Sequence, residues 1–217
     1  KNVVFSNNTS TEGGAVANYR GTITYQNVTF TGNSSKNNGG AVFNELTTVI
    51  FTDTEFTNNS TEEKGGAVHN YDTTATYTRV NFTNNHAGYS GAGMFSYEGN
   101  LYVTDATFVG NTADLLGGGI ANYLLTESSF TRVLVKDNSA PWLGGGMYND
   151  SVSPLITEVS FEGNYASKGG AMYNELSKPV LKTVTFADNS AMFSGAGIFG
   201  YSSQINLANV TMTGNTS

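Results

Sequence analysis

A glycine motif recurs through the whole chain and closes on an aliphatic residue each time. It reads Gly13-Gly14-Ala15-Val16, Gly39-Gly40-Ala41-Val42, Gly65-Gly66-Ala67-Val68, Gly91-Ala92-Gly93-Met94, Gly117-Gly118-Gly119-Ile120, Gly144-Gly145-Gly146-Met147, Gly169-Gly170-Ala171-Met172 and Gly195-Ala196-Gly197-Ile198, at intervals of 25 to 27 residues. A fixed period of this size predicts a solenoid, in which each unit buries its apolar face only against its neighbours. The repeat runs from end to end of the 217 residues, so residues 1–217 are expected to form a single elongated domain, in phase at both ends and thus a section of a longer chain. Cysteine is absent, which leaves stacking rather than disulfides or thiolate metal sites to hold the fold.

Each repeat contains three short β patterns. One alternates and ends in an aromatic, with Asn three residues on: Val28-Thr29-Phe30 then Asn33, Val80-Asn81-Phe82 then Asn85, Val159-Ser160-Phe161 then Asn164. Period-two alternation turns Val and Phe to one face and the polar residues to the other. The Asn recurs at Asn33, Asn59, Asn85, Asn111, Asn138, Asn164 and Asn189, with further copies at Asn8 and Asn215. Stacked coils would bring these amides together as a structural ladder, because buried polar groups need partners. The glycine motif supplies a second strand, followed by Asn18, Asn44, Asn70, Asn122, Asn149 and Asn174, a series that Ser96 and Gly200 interrupt. A weaker third alternation is carried by Ile23 and Tyr25, Val49 and Phe51, Ala75 and Tyr77, Leu101 and Val103, and Leu155 and Thr157. Three strands in about 26 residues without helical periodicity predict an all-β, parallel β-helix of about eight coils. Right-handed winding is the expectation for parallel crossovers.

The paired motifs Gly39-Gly40-Ala41-Val42 and Phe30-Thr31-Gly32-Asn33, or Gly169-Gly170-Ala171-Met172 and Phe161-Glu162-Gly163-Asn164, resemble the polymorphic outer membrane protein repeat of the chlamydial autotransporter adhesins. The hallmarks of that repeat are a Gly-Gly-Ala-Ile type motif and a Phe-x-x-Asn motif. Two glycine motifs here depart from it, at Gly91-Ala92-Gly93 and Gly195-Ala196-Gly197, and Val135 stands where Phe is usual. The resemblance implies an extracellular or cell-surface β-helix that acts in adhesion or display. The partner it implies is a surface protein or glycan of a host or neighbouring cell. Copies of the chain itself are the partner in an alternative reading, a head-to-tail extracellular fibre.

The formal charge of −7 disfavours nucleic acid and anionic membrane as partners, and no run of 18 apolar residues is present to span a bilayer. Polysaccharide-active β-helices need clustered carboxylates with nearby Lys, Arg or His, and mapping carboxylates by repeat phase yields no such cluster. A non-enzymatic chain without metal or cofactor is therefore expected. Ice binding, which needs unbroken Thr-x-Thr rows, fits Thr29-Phe30-Thr31 but not Leu134-Val135-Lys136 or Ser160-Phe161-Glu162.

Three outward columns remain. Asp53, Arg79, Asp105, Arg132 and Glu158 alternate in sign and are expected to pair between coils. Tyr71, Tyr97 and Tyr123 fall in consecutive coils and form a candidate platform for sugar rings. Tyr89, Leu115 and Trp142, joined by Leu116 and Leu143, break an otherwise polar column and form a candidate partner-binding patch; the alternative is that they fold over the edge of the core.

Overall fold

The computed structural model describes residues 2–217, and within them every strand pairing is parallel. Seventeen strands form one wide sheet that wraps around the coil, and eight form a second, narrower one. The described residues form a β-solenoid of about eight coils with no helix among them, and the three strands expected in each coil are present.

Left-handed backbone at fixed phases makes the corners. Val42–Thr57 is one continuous strand that bends twice, at Leu46 with φ 54° and at Asp53 with φ 49°. A third corner falls just before the ladder Asn and is occupied by Gly32, Asn58, Asn84, Gly110, Asp137 and Gly163, residue types that enter this region at little steric cost. Gly39 and its equivalents make the fourth. The next glycine is required for another reason, since a Cβ at Gly40 would overlap the backbone carbonyls of Gly66 and Ser60 in the neighbouring coil.

The interior is aromatic and aliphatic. Phe5, Phe30, Phe56, Phe82 and Phe108 stack face to face with centroids 4.5 to 4.9 Å apart, the spacing of the strands themselves. Val135 interrupts the column, and Phe161 and Phe186 resume it at 5.0 Å. Tyr25, Phe51 and Tyr77 form a parallel stack at 4.7 and 5.0 Å. The expected inward pair Leu155 and Thr157 is corrected: Phe130 pairs with Ile156, so Ile156 fills the core and Leu155 points outward. Ile156 lies seven residues after Asn149, as Phe51 does after Asn44 and Tyr77 after Asn70, and the buried Pro154 takes the preceding inward position, where no β-former marks the phase.

The segment between the ladder Asn and the glycine motif, which carries no clear alternation, is itself a parallel ladder. It forms the eight-stranded sheet, including Ser34–Asn38, Ser139–Leu143 and Tyr165–Lys168. Its inward positions are small, with Ala87, Ala113, Ala140 and Ala166 buried in consecutive coils. Small side chains give little periodic hydrophobic signal, so the sequence pattern predicts turns rather than a strand here.

Candidate interaction surface

The asparagine ladder fixes the register of everything outside it. Asn85 donates from its backbone N–H and its Nδ2 to Asn111 Oδ1, at 3.0 and 2.9 Å, and from Nδ2 to the Phe56 carbonyl at 3.0 Å. Its Oδ1 accepts from the backbone N–H and Nδ2 of Asn59, at 2.9 and 3.0 Å. Every polar atom of the amide is paired, and the same pattern runs from Asn8 to Asn215.

The second ladder shows what an interruption does. Asn18, Asn44 and Asn70 are joined at 2.8 and 2.9 Å, and Asn70 then donates to Ser96 Oγ at 3.1 Å. Asn122, Asn149 and Asn174 form a separate run at 2.9 and 3.0 Å. At the breaks, Asn122 Oδ1 and Asn174 Nδ2 are buried without partners, because Ser96 has no amide to donate and Gly200 has no side chain to accept. Replacing Ser96 by Asn supplies the missing donor. Ser96→Asn is expected to stabilise the chain by about 1–2 kcal/mol, read as a rise in the denaturation midpoint. An unchanged or lower midpoint would show that the Asn122 carbonyl is not limiting.

The charged column pairs between coils. Arg79 binds Asp53 bidentately at 2.6 and 2.9 Å, and Arg132 binds Asp105 at 2.6 and 3.0 Å. The guanidinium beside each Asp holds its carboxyl below the usual carboxylate range. These residues occupy the Asp53-type corner, all with φ between 49° and 55°. The charges are half-exposed, so the pairs set register more than they add stability.

On the outer side of the glycine strands lies a second column that the sequence reading missed. Phe43, His69, Phe95, Ala121, Tyr148 and Tyr173 directly follow the inward Val, Met or Ile, and they are buried although they face away from the main core. Leu116 and Leu143 cover part of this column from the neighbouring sheet. The signal was an aromatic at one phase in five coils, at Phe43, Phe95, Tyr148, Tyr173 and Phe199.

This column separates the proposed tyrosine platform. Tyr71 and Tyr97 stack on each other with centroids 5.6 Å apart and planes 4° from parallel. Tyr123 instead turns toward the buried rings, 5.2 Å from Phe95 and 5.3 Å from Tyr148, into the space left by the small side chain of Ala121. The exposed platform is therefore two rings wide.

The apolar patch divides in the same way. Leu116 and Leu143 fold under, against the outer aromatic column, and Leu115 is half-buried. Trp142 is 62% exposed and Tyr89 39% exposed. Trp142 stands out because the strand bulges: register shifts between Ala140 and Leu143, and the amides of Trp142 and Leu143 both donate to the Leu115 carbonyl, at 3.2 and 3.3 Å. Two coils further on, Met192 and Phe193 are exposed at 62% and 67%, with Ser167 and Lys168 in the coil between.

The Chlamydia polymorphic membrane protein repeat matches this chain three times, at residues 2–19, 27–45 and 53–71. Each match spans one Phe-x-x-Asn motif and the glycine motif after it. No curated protein and no solved structure matches the chain.

Proposed function

Starting from a chain that carries Chlamydia polymorphic membrane protein repeats, we propose that it is a surface-displayed, non-enzymatic β-helix whose rigid coils present the Tyr89, Leu115 and Trp142 stripe to a protein on another cell. The family's description supports an outer-membrane or surface location. The observation that carries the binding role is the exposure of Trp142 at a bulge of the narrow sheet, a register shift that recurs at Ser10–Glu12 and Ala166–Lys168. An aromatic anchor on a pre-organised scaffold is what a binding hot spot requires. The carboxylates Asp53 and Asp105 are held by arginines rather than gathered in a cleft, which favours display over catalysis.

The test is saturable binding of labelled protein to intact cultured cells. Trp142→Ala is expected to weaken that binding at least about tenfold while leaving the unfolding midpoint within the range of a surface substitution. Equal binding by both proteins would remove the stripe from the account.

A further inference from the structure

A pocket of about 380 Å³ opens beside the glycine strands of adjacent coils, lined by Asn38, Phe43, Glu45, Lys64, His69 and Tyr71. His69 is only 5% exposed, wedged between the rings of Phe43 and Phe95 at 5.3 and 4.8 Å. Its Nδ1 is buried and has no hydrogen-bond partner. A neutral imidazole carries one N–H, and with that proton on Nε2 the buried Nδ1 is a bare acceptor. Buried acceptors are paired in folded proteins, so one left unpartnered on a residue that lines a pocket marks where a ligand's donor goes.

We infer that this pocket is a subsite for a pyranose residue of a neutral glycan, with one sugar hydroxyl donating to His69 Nδ1. The other lining groups fit a polyol. Glu45 accepts from hydroxyls, and Asn38 can donate and accept. Lys64 lies over the floor with Nζ 5.3 Å from the Phe95 ring and 5.4 Å from the Tyr89 ring, and it donates to hydroxyl or ring oxygens. The half-exposed Tyr71 offers its ring to the C–H face of the sugar, and its stack with Tyr97 carries that aromatic surface into the next coil. A carboxylate beside the ammonium, on a chain of formal charge −7, selects against an anionic ligand. The unbranched Lys64 arm is the part of the lining that moves aside to admit the hydroxyl. The site does not depend on the Trp142 stripe.

The experiment is an NMR titration of the isotope-labelled chain with the methyl glycosides of glucose, galactose, mannose and N-acetylglucosamine, each up to about 100 mM, because single-subsite affinities are of millimolar order. At least one glycoside is expected to shift the His69 Nδ1 and Tyr71 ring resonances saturably. His69→Phe, which keeps an aromatic between Phe43 and Phe95, is expected to weaken binding about tenfold. Tyr71→Ala, on the open side of the pocket, is expected to weaken it too, while Trp142→Ala leaves it unchanged. Failure of all four glycosides to move both resonances, or equal binding by wild type and both pocket variants, would overturn the assignment. Loss of glycoside binding in Trp142→Ala would overturn its placement.

Discussion

Asn85→Ala is expected to destabilise the chain by about 3–5 kcal/mol, more than the loss of any single exposed side chain. The physical reason is local and countable. The backbone N–H of Asn59 and its Nδ2 both lose Asn85 Oδ1, and the Phe56 carbonyl loses its side-chain donor. The Asn59 N–H is then a buried donor with no alternative, at a position sealed from water. Alanine brings no packing gain to offset this. Stacked repeats transmit stability only through nearest-neighbour contacts, so a weakened central joint also lowers the cooperativity of unfolding. Asn81→Ala, in the same coil, supplies the control. Asn81 is exposed and accepts a single bond from Thr107 Oγ1, at 2.8 Å, so its loss is expected to stay within about 0.5 kcal/mol. Urea denaturation of the two variants checks both numbers, and similar midpoints would contradict the ladder's role.

Acid is expected to weaken the fold well before its carboxylates titrate, and His69 is the reason. Burial between aromatic rings pushes the imidazole from its ordinary 6.5 down to about 3, with the Lys64 charge acting in the same direction and the Lys64 backbone bond opposing it. Below pH 6.5 the unfolded chain takes up a proton that the folded chain refuses until about pH 3. Stability present above pH 6.5 therefore falls as pH drops through that window, by about 1.4 kcal/mol per pH unit once the unfolded histidine is protonated. Between pH 6.5 and 4.5 the loss is of order 2 kcal/mol. Asp53 and Asp105 add to it only below the ordinary carboxylate range, because the arginines hold their folded values lower still. His69→Phe removes the ionisable group while matching Phe43 and Phe95. Its midpoint is expected to be flat from pH 6.5 to 4.5 where the wild type slopes, and parallel slopes would show that His69 is not the titrating group.

The legibility of the chain follows from which residues repeat and how large they are. The coil was readable because Phe30, Phe56, Phe82 and Phe108 and the asparagines after them keep one phase, and stacking at strand spacing turns sequence period directly into contact. The interruption of the second asparagine series at Ser96 was also visible, although only the structure shows the orphaned Asn122 carbonyl it leaves. The narrow sheet was not legible, since Ala87, Ala113 and Ala140 point inward without giving an amphipathic signal. The inward phase at Leu155 was misread because the preceding inward position is Pro154, which gives no strand signal, whereas Ile156 keeps the same seven-residue spacing from Asn149 that Phe51 keeps from Asn44. The surface columns were readable as columns but not as surfaces. Whether Leu143 or Trp142 is exposed depends on a bulge, and whether Tyr123 joins Tyr97 depends on the small Ala121 beside it. These are decisions of packing between coils that no single repeat encodes.

Hydrogen exchange of the ladder side-chain amides tests the central claim most directly, that buried asparagines stack these coils in register and so fix what the surface displays. The account predicts that the Nδ2 protons of Asn59, Asn85 and Asn111 exchange slowly, at rates set by unfolding, while those of the exposed Asn81 and Asn84 exchange at nearly the free-amide rate. Fast exchange at Asn85 in the folded protein would contradict it.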